Sequence, residues 1–246
     1  MDKKSKIILI AGPTASGKSN FAVQLAKKVN GEIINSDSMQ IYKEIKILNA
    51  RPSSVNIKKI THHLYGFHSV KKKFSTGQWL KKTIILIKEI KKKNKVPILV
   101  GGTGLYFKAI TSGLTRIPLI PMKYRNQLRA EHKKIGQKKF FNKLVKLDPL
   151  VKSKINHNDV QRTLRAYEVK KYTKTSLFKW HENTSNNFKE KDFLKIYVDC
   201  PRNDLINRIN KRVDNMITAG AIKEVKKLRN LKIKKDNSSN KVIGIN

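Results

Sequence analysis

Residues 12–19 read Gly-Pro-Thr-Ala-Ser-Gly-Lys-Ser, which satisfies the pattern G-x-x-x-x-G-K-[ST]. Gly12 and Gly17 allow the backbone to curl around Pro13, Thr14, Ala15 and Ser16, so that successive N–H groups point inward at phosphate oxygens. A helix starting directly afterwards adds the positive end of its dipole. Lys18 supplies a point charge, and Ser19 offers a hydroxyl to a phosphate-bound Mg2+. A purely structural glycine turn is the plain alternative, but an apolar run before the loop and a helical pattern after it describe a cradle for a di- or triphosphate. Two chemistries fit such a cradle. A nucleotide can sit there while its γ-phosphoryl moves, as in a kinase or ATPase. Equally, the loop can neutralise a diphosphate leaving group while carbon is attacked.

Asp37 lies in Ser36-Asp37-Ser38-Met39-Gln40, just after a second apolar run. A carboxylate near the phosphate loop can take a proton from a nucleophile or act as a Walker-B-type Mg2+ ligand. A third run ends in Gly101-Gly102-Thr103-Gly104-Leu105-Tyr106, where the glycines permit close backbone approach by a ligand and Thr103 presents a hydroxyl. A tight turn is the alternative there. His62 and His63 are not read as metal ligands, because adjacent side chains diverge and no cysteine lies nearby.

The elements that carry these residues follow from periodicity. Lys6–Ile10 reads as a buried strand, and Phe21, Ala22, Leu25, Ala26 and Val29 recur at helical spacing until Asn30-Gly31. Glu32–Asp37 is a second strand, Gln78–Lys93 a helix and Val96–Val100 a third strand. Alternating strands and helices predict an α/β fold, a parallel sheet that binds ligands beyond the carboxyl ends of its strands. From 121 to 191 no β-like run occurs, only basic helical patterns. Strand character returns at Leu194–Asp199, followed by an amphipathic helix over Leu205–Ile217. The predicted organisation is therefore a P-loop α/β core begun by residues 1–120, an inserted helical lobe over 121–191, and a return to the core over 192–246.

Of the 246 residues, 55 are Lys or Arg and 17 are Asp or Glu, a formal net charge of +38. Such a field concentrates polyanions, nucleic acid or acidic membrane, although a general lysine bias would produce the same count. The single cysteine, Cys200, excludes an internal disulfide framework and points to a reducing cytoplasm. No apolar run is long enough to cross a bilayer, and the basic start leads into the glycine loop rather than to a cleavage site.

Taken together, the P-loop, Asp37–Gln40, Val100–Tyr106 and Asn158-Asp159-Val160-Gln161-Arg162-Thr163-Leu164-Arg165-Ala166-Tyr167-Glu168-Val169 resemble bacterial-type tRNA dimethylallyltransferases over nearly the whole chain. The resemblance implies transfer of a dimethylallyl group from dimethylallyl diphosphate to N6 of adenosine 37, beside the tRNA anticodon. Diphosphate is released and Mg2+ assists. It makes Asp37 the general base and places Thr103 and Arg212 near the diphosphate and the reacting base. It assigns tRNA contacts to Asp37, Ser38, Met39, Gln40, Thr103, Arg125, Gln161, Arg162, Thr163, Leu164 and Arg165, with the middle lobe gripping the anticodon arm of tRNA. The target base must leave its stack to reach Asp37. A monomer with no membrane association is expected. A P-loop kinase of nucleosides or small molecules, and an RNA-binding protein without chemistry, are the competing readings. The sequence departs from the family pattern at Leu48-Asn49-Ala50-Arg51-Pro52, where Gly-Thr-Ala-Lys-Pro is usual, and at His62-His63-Leu64-Tyr65, which lacks an acidic residue after the leucine. The family also typically continues with further helices at the point where this sequence ends.

Overall fold

The computed structural model describes residues 6–52, 60–234 and 237–245. The remaining positions within the predicted core segments lie outside the described residues; no candidate site residue is among them.

Strands β1 (Ile7–Ala11), β2 (Gly31–Asn35), β3 (His62–His63), β4 (Val96–Val100) and β5 (Phe193–Tyr197) form one parallel sheet in the order β3-β2-β4-β1-β5. Register pairs Ile10 with Val100 and Asn35 with Val100, so the chain leaves β1, β2 and β4 at the same level. Three adjacent strand ends therefore bring the glycine loop, the Ser36-Asp37 segment and the Gly101-Gly102 turn to one edge. The parallel sheet predicted from the sequence is present. β3 was not foreseen, because two half-buried histidines on a sheet edge carry no apolar alternation.

Both faces of β1, β2 and β4 are covered, which is why these strands are buried along their length, whereas the edge strand β5 leaves Leu194 and Tyr197 exposed. Ile8, Ile10, Ile33, Val96, Ile98 and Val100 pack with Ala22 and Ala26 of α1 (Lys18–Val29). Ile7, Leu9, Ile34 and Leu99 point to the opposite face and are equally buried. There α2 (Thr76–Lys92) packs on β2 and β4, and its Trp79 stacks on Tyr106 of α3 (Gly104–Ser112) with ring centroids 4.2 Å apart. The Trp79 indole N–H donates to the Asn35 carbonyl at 2.8 Å, so a buried donor is satisfied at the point where β2 ends. α2 begins two residues before the expected Gln78, because Ser75 and Gln78 form a capping box.

The chain divides into two compact units, residues 1–111 with 187–246 and residues 112–186. The second is helical, with no strand among its described residues. It contains α4 (Met122–Leu147), α5 (Val160–Thr173) and α6 (Leu177–Glu182), packed around Phe140, Leu144, Val151, Ala166, Tyr167 and Val169. α4 is interrupted at Gly136, whose φ of 79° and ψ of 164° are not helical. The unit begins before residue 121 because its two ends are tied together. The Thr115 and Thr184 hydroxyls lie 2.8 Å apart, and Gly113, at φ +78°, sits so close to Ser185 that a Cβ would meet its carbonyl oxygen at 2.4 Å. In the first unit, α7 (Arg202–Thr218) and α8 (Ala221–Asn230) follow β5. A second small core joins Ile41, Tyr42, Ile45 and Val70 to Leu228, Val242 and Ile245.

Candidate active site

The loop between β1 and α1 is shaped by two glycines for different reasons. At Gly12 a Cβ would meet the Val198 carbonyl oxygen at 2.5 Å, so the residue after β1 must be bare to let the end of β5 approach. At Gly17 nothing lies within 4 Å, but φ is +90°, a conformation that other residues resist. Gly17 is also the N-cap of α1 and brings no capping side chain. The first turn of α1 thus has no side-chain acceptor of its own at the cap, which suits an external oxyanion. Lys18 Nζ donates to the Pro13 carbonyl at 2.9 Å and is held over the loop. Ser16 is buried, and its Oγ has no hydrogen-bond partner among the described residues.

Asp37 is placed by its neighbours rather than by strand geometry. The Asn35 side chain accepts from the Asp37 N–H at 2.8 Å and donates to the carbonyls of Asp37 and Leu64 at 2.9 and 3.0 Å. Asp37 Oδ1 then accepts the Met39 N–H at 2.9 Å. Thr103 locks the same segment from the β4 side. Its N–H donates to Ser36 O at 3.2 Å, and its Oγ1 accepts from Ser38 N at 2.9 Å and donates to Ser38 Oγ at 3.2 Å. Gly101 makes this contact possible, since a Cβ there would lie 2.2 Å from Ser36 backbone atoms. The close approach it permits is to the chain itself, whereas Gly102 faces open space.

Charge converges on the same place. Burial pushes Lys18 below its ordinary value, Asp37 opposes that shift and Arg212 reinforces it. Arg212, on α7, is likewise lowered by burial and supported by Asp37. Tyr65 and Tyr106 are pushed upward, by burial first and by the Asp37 charge in addition. One carboxylate, two cations and two neutral phenols therefore share one electrostatic environment within the first unit. Asp37 thus acts electrostatically on Lys18 of α1 and Arg212 of α7, and Thr103 is tied to the adjoining Ser38.

The other candidate residues divide by what their side chains already do. Gln40 donates to the carbonyls of Asn49 and Ala50 at 2.8 and 3.3 Å, and Met39 packs on the small second core. In the second unit, Gln161 and Arg162 are exposed on α5, and Arg165 is half-buried beside Glu168 at 3.8 Å. Arg125 Nε donates to the same buried Glu168 carboxylate at 3.0 Å. Thr163 is fully buried, accepting from Gln137 at 3.1 Å, and Leu164 is partly buried against the lobe's core. Sequence reasoning gave neither Asn35 nor Asn49 a role in the site. Asn49 stands at the departure from the usual Gly-Thr-Ala-Lys-Pro segment, and its amide donates to Met39 O at 2.9 Å. An Asn at a strand end is the kind of signal that could have marked Asn35.

No group of three His, Cys, Asp or Glu that could hold a metal ion exists among the described residues. The exposed Ser19 hydroxyl on the first turn of α1 fits a hard cation that takes most of its ligands from phosphate and water.

Residues 40–246 match the family model described as IPP transferase. The chain belongs to this family. The tRNA dimethylallyltransferase of Pelagibacter ubique is 60% identical over all of this chain and 78% of its own length. That of Rickettsia canadensis is 42% identical over 99% of this chain and 75% of its own. Among solved structures, the full-length tRNA isopentenylpyrophosphate transferase of Bacillus halodurans matches with TM-score 0.65 and 33% identity, covering 98% of this chain and 75% of that one. A eukaryotic dimethylallyltransferase acting on tRNA matches with TM-score 0.80 and 29% identity over 95% of this chain and 58% of its own. The fold of this IPP transferase family member is P-loop NTPase-like, and its family is one of prenyl-transferring enzymes rather than kinases.

Proposed function

We propose that this enzyme transfers the dimethylallyl group of dimethylallyl diphosphate to N6 of adenosine 37 in tRNA. The observation that supports the reading is the electrostatic influence of Asp37 on both Lys18 and Arg212, an arrangement suited to a base working near cations that a leaving diphosphate requires. The exocyclic amine of adenine is a weak nucleophile, since its lone pair is delocalised into the ring. As N6 bonds to C1 of the dimethylallyl group, the C1–O bond to diphosphate breaks and the N6 proton passes to Asp37. Met39 N–H donates to Asp37 Oδ1 and helps fix the carboxylate's orientation. The loop N–H groups, Lys18 and Arg212 stabilise charge where it develops, on the departing diphosphate. Thr103 holds Ser38 and thereby the base-bearing segment. Ser19 would help to hold Mg2+, which would supply further neutralisation of the leaving group.

The tRNA is gripped by the exposed face of α5, with Gln161, Arg162 and Arg165 reaching backbone phosphates or splayed bases of the anticodon loop. Arg125 shares that role from α4. The basic excess supports a polyanionic substrate, no described helix is long and apolar enough to cross a membrane, and the single free cysteine suits a reducing cytoplasm. The test is to incubate unmodified tRNA and Mg2+ with either dimethylallyl diphosphate or ATP, digest, and analyse the nucleosides. N6-prenylated adenosine is expected with the first donor only, and Asp37→Ala should lower kcat by roughly 10²–10⁴. Phosphorylated product from ATP, or RNA binding with neither product, would overturn the proposal.

A further inference from the structure

Glu224 has a role that the chemistry above does not use. It lies in the first turn of α8, and its carboxylate accepts from three consecutive backbone N–H groups. Lys46 N donates to Oε1 at 2.7 Å, Ile47 N to both oxygens at 3.0 and 3.1 Å, and Leu48 N to Oε2 at 3.0 Å. Successive N–H groups converging on one anion form a nest that a neutral side chain cannot fill equally well.

The turn held in this way is linked to the base. Asn49 and Ala50, which follow it, accept from the Gln40 amide, and the Asn49 amide donates back to Met39 O at 2.9 Å. Met39 N in turn donates to Asp37 Oδ1 at 2.9 Å. A chain of hydrogen bonds and short backbone steps thus runs from the Glu224 carboxylate to the Asp37 carboxylate, all within the first unit. Behind the turn lies a cavity of about 530 Å³ lined in part by Glu44, Ile47, Gly220 and Lys223. Leu48 packs on the small second core, and Ala50 N and Arg51 N close the turn on Ile47 O and Lys46 O, so the Glu224 bonds are what tie the turn's own N–H groups to the last helices.

We propose that Glu224 is a positioning residue for the reaction, holding the 46–48 turn so that the Asp37–Gln40 segment meets the acceptor base in register. The inference rests on the prenyl-transfer reading. Glu224→Ala and its isostere Glu224→Gln are compared with Leu228→Ala, which removes buried apolar contact from the same helix without touching the turn's N–H groups. For Glu224→Ala, kcat falls by about tenfold or more and KM for tRNA rises, because a misplaced base loses alignment. KM for dimethylallyl diphosphate stays within about twofold, since the phosphate loop hangs on β1 and α1. Glu224→Gln, with one acceptor oxygen left, falls between, and it carries the comparison if the alanine variant does not fold. In both variants the Ile47 and Leu48 amides exchange hydrogen faster, while Leu228→Ala lowers the unfolding midpoint and leaves kcat near wild type. Wild-type kcat and tRNA KM in the Glu224 variants would overturn the proposal, as would equal losses for both substrates matched by Leu228→Ala. Absence of product from the wild-type protein would instead defeat the activity reading itself.

Discussion

At the residue scale, Lys18 shows how placement changes a side chain's chemistry. Burial lowers its pKa below the ordinary 10.5, and Asp37 only partly restores it. A neutral fraction therefore forms at lower pH than for a free lysine, and neutral Lys18 cannot bind diphosphate as a charge. KM for dimethylallyl diphosphate should rise on the alkaline side before pH 10.5 is reached. Lys18→Arg, which keeps its charge at any pH tested, should remove that limb; a pH series of initial rates for both proteins checks it. For stability, the unfolded chain holds this proton more tightly than the folded one. The group's cost to folding is full below its folded pKa and fades as pH rises toward the unfolded value.

At the scale of elements, the packing of β4 against β2 positions Asp37. Gly101→Ala places a methyl group against Ser36 backbone, an overpacking that costs about 1–3 kcal/mol and displaces Asp37. Gly102→Ala meets nothing, so its stability should match wild type in urea titrations. A loss of activity without loss of stability in Gly102→Ala would mark ligand approach at that residue. β2 has a second anchor in Glu32, a buried carboxylate bonded to His63 at 2.7 Å and Lys95 at 2.8 Å. Burial pushes this group upward, but the hydrogen bonds and charges of Lys95 and His63 outweigh it and hold the carboxyl below its usual 4.5. Its contribution is fully present above pH 4.5 and is lost as pH falls through the lower folded value. Glu32→Gln should cost about 1.5–3 kcal/mol at pH 7 in urea unfolding and should flatten that acid limb.

At the scale of the whole molecule, a net charge of +38 makes association with RNA dependent on ionic strength. A log–log plot of tRNA affinity against salt should be steep. Arg162→Ala should reduce its slope by about one if Arg162 meets a phosphate, and should weaken all tRNA substrates alike. Arg162 pairs only loosely with Asp159, at 3.4 Å on the exposed surface, so little fold stability depends on it. Filter binding across a salt series measures both quantities.

The glycine loop, the three apolar runs of β1, β2 and β4, the basic helical lobe and the position of Asp37 after β2 were all legible in the sequence. Each depends on local periodicity or on residue types at fixed spacing, which short-range sterics and hydrogen bonding enforce. Other features exist only once the chain has folded back on itself. β3 pairs because Ile33 and Ile34 meet His62 and His63, and Gly101 is needed because Ser36 lies against it. Glu224 holds a turn 176–178 residues earlier in the chain. Thr163, on a helix that reads as an RNA-facing motif, is turned inward by the lobe's packing. Contacts at such separations follow from which surfaces are buried together, and no local pattern of residues records that.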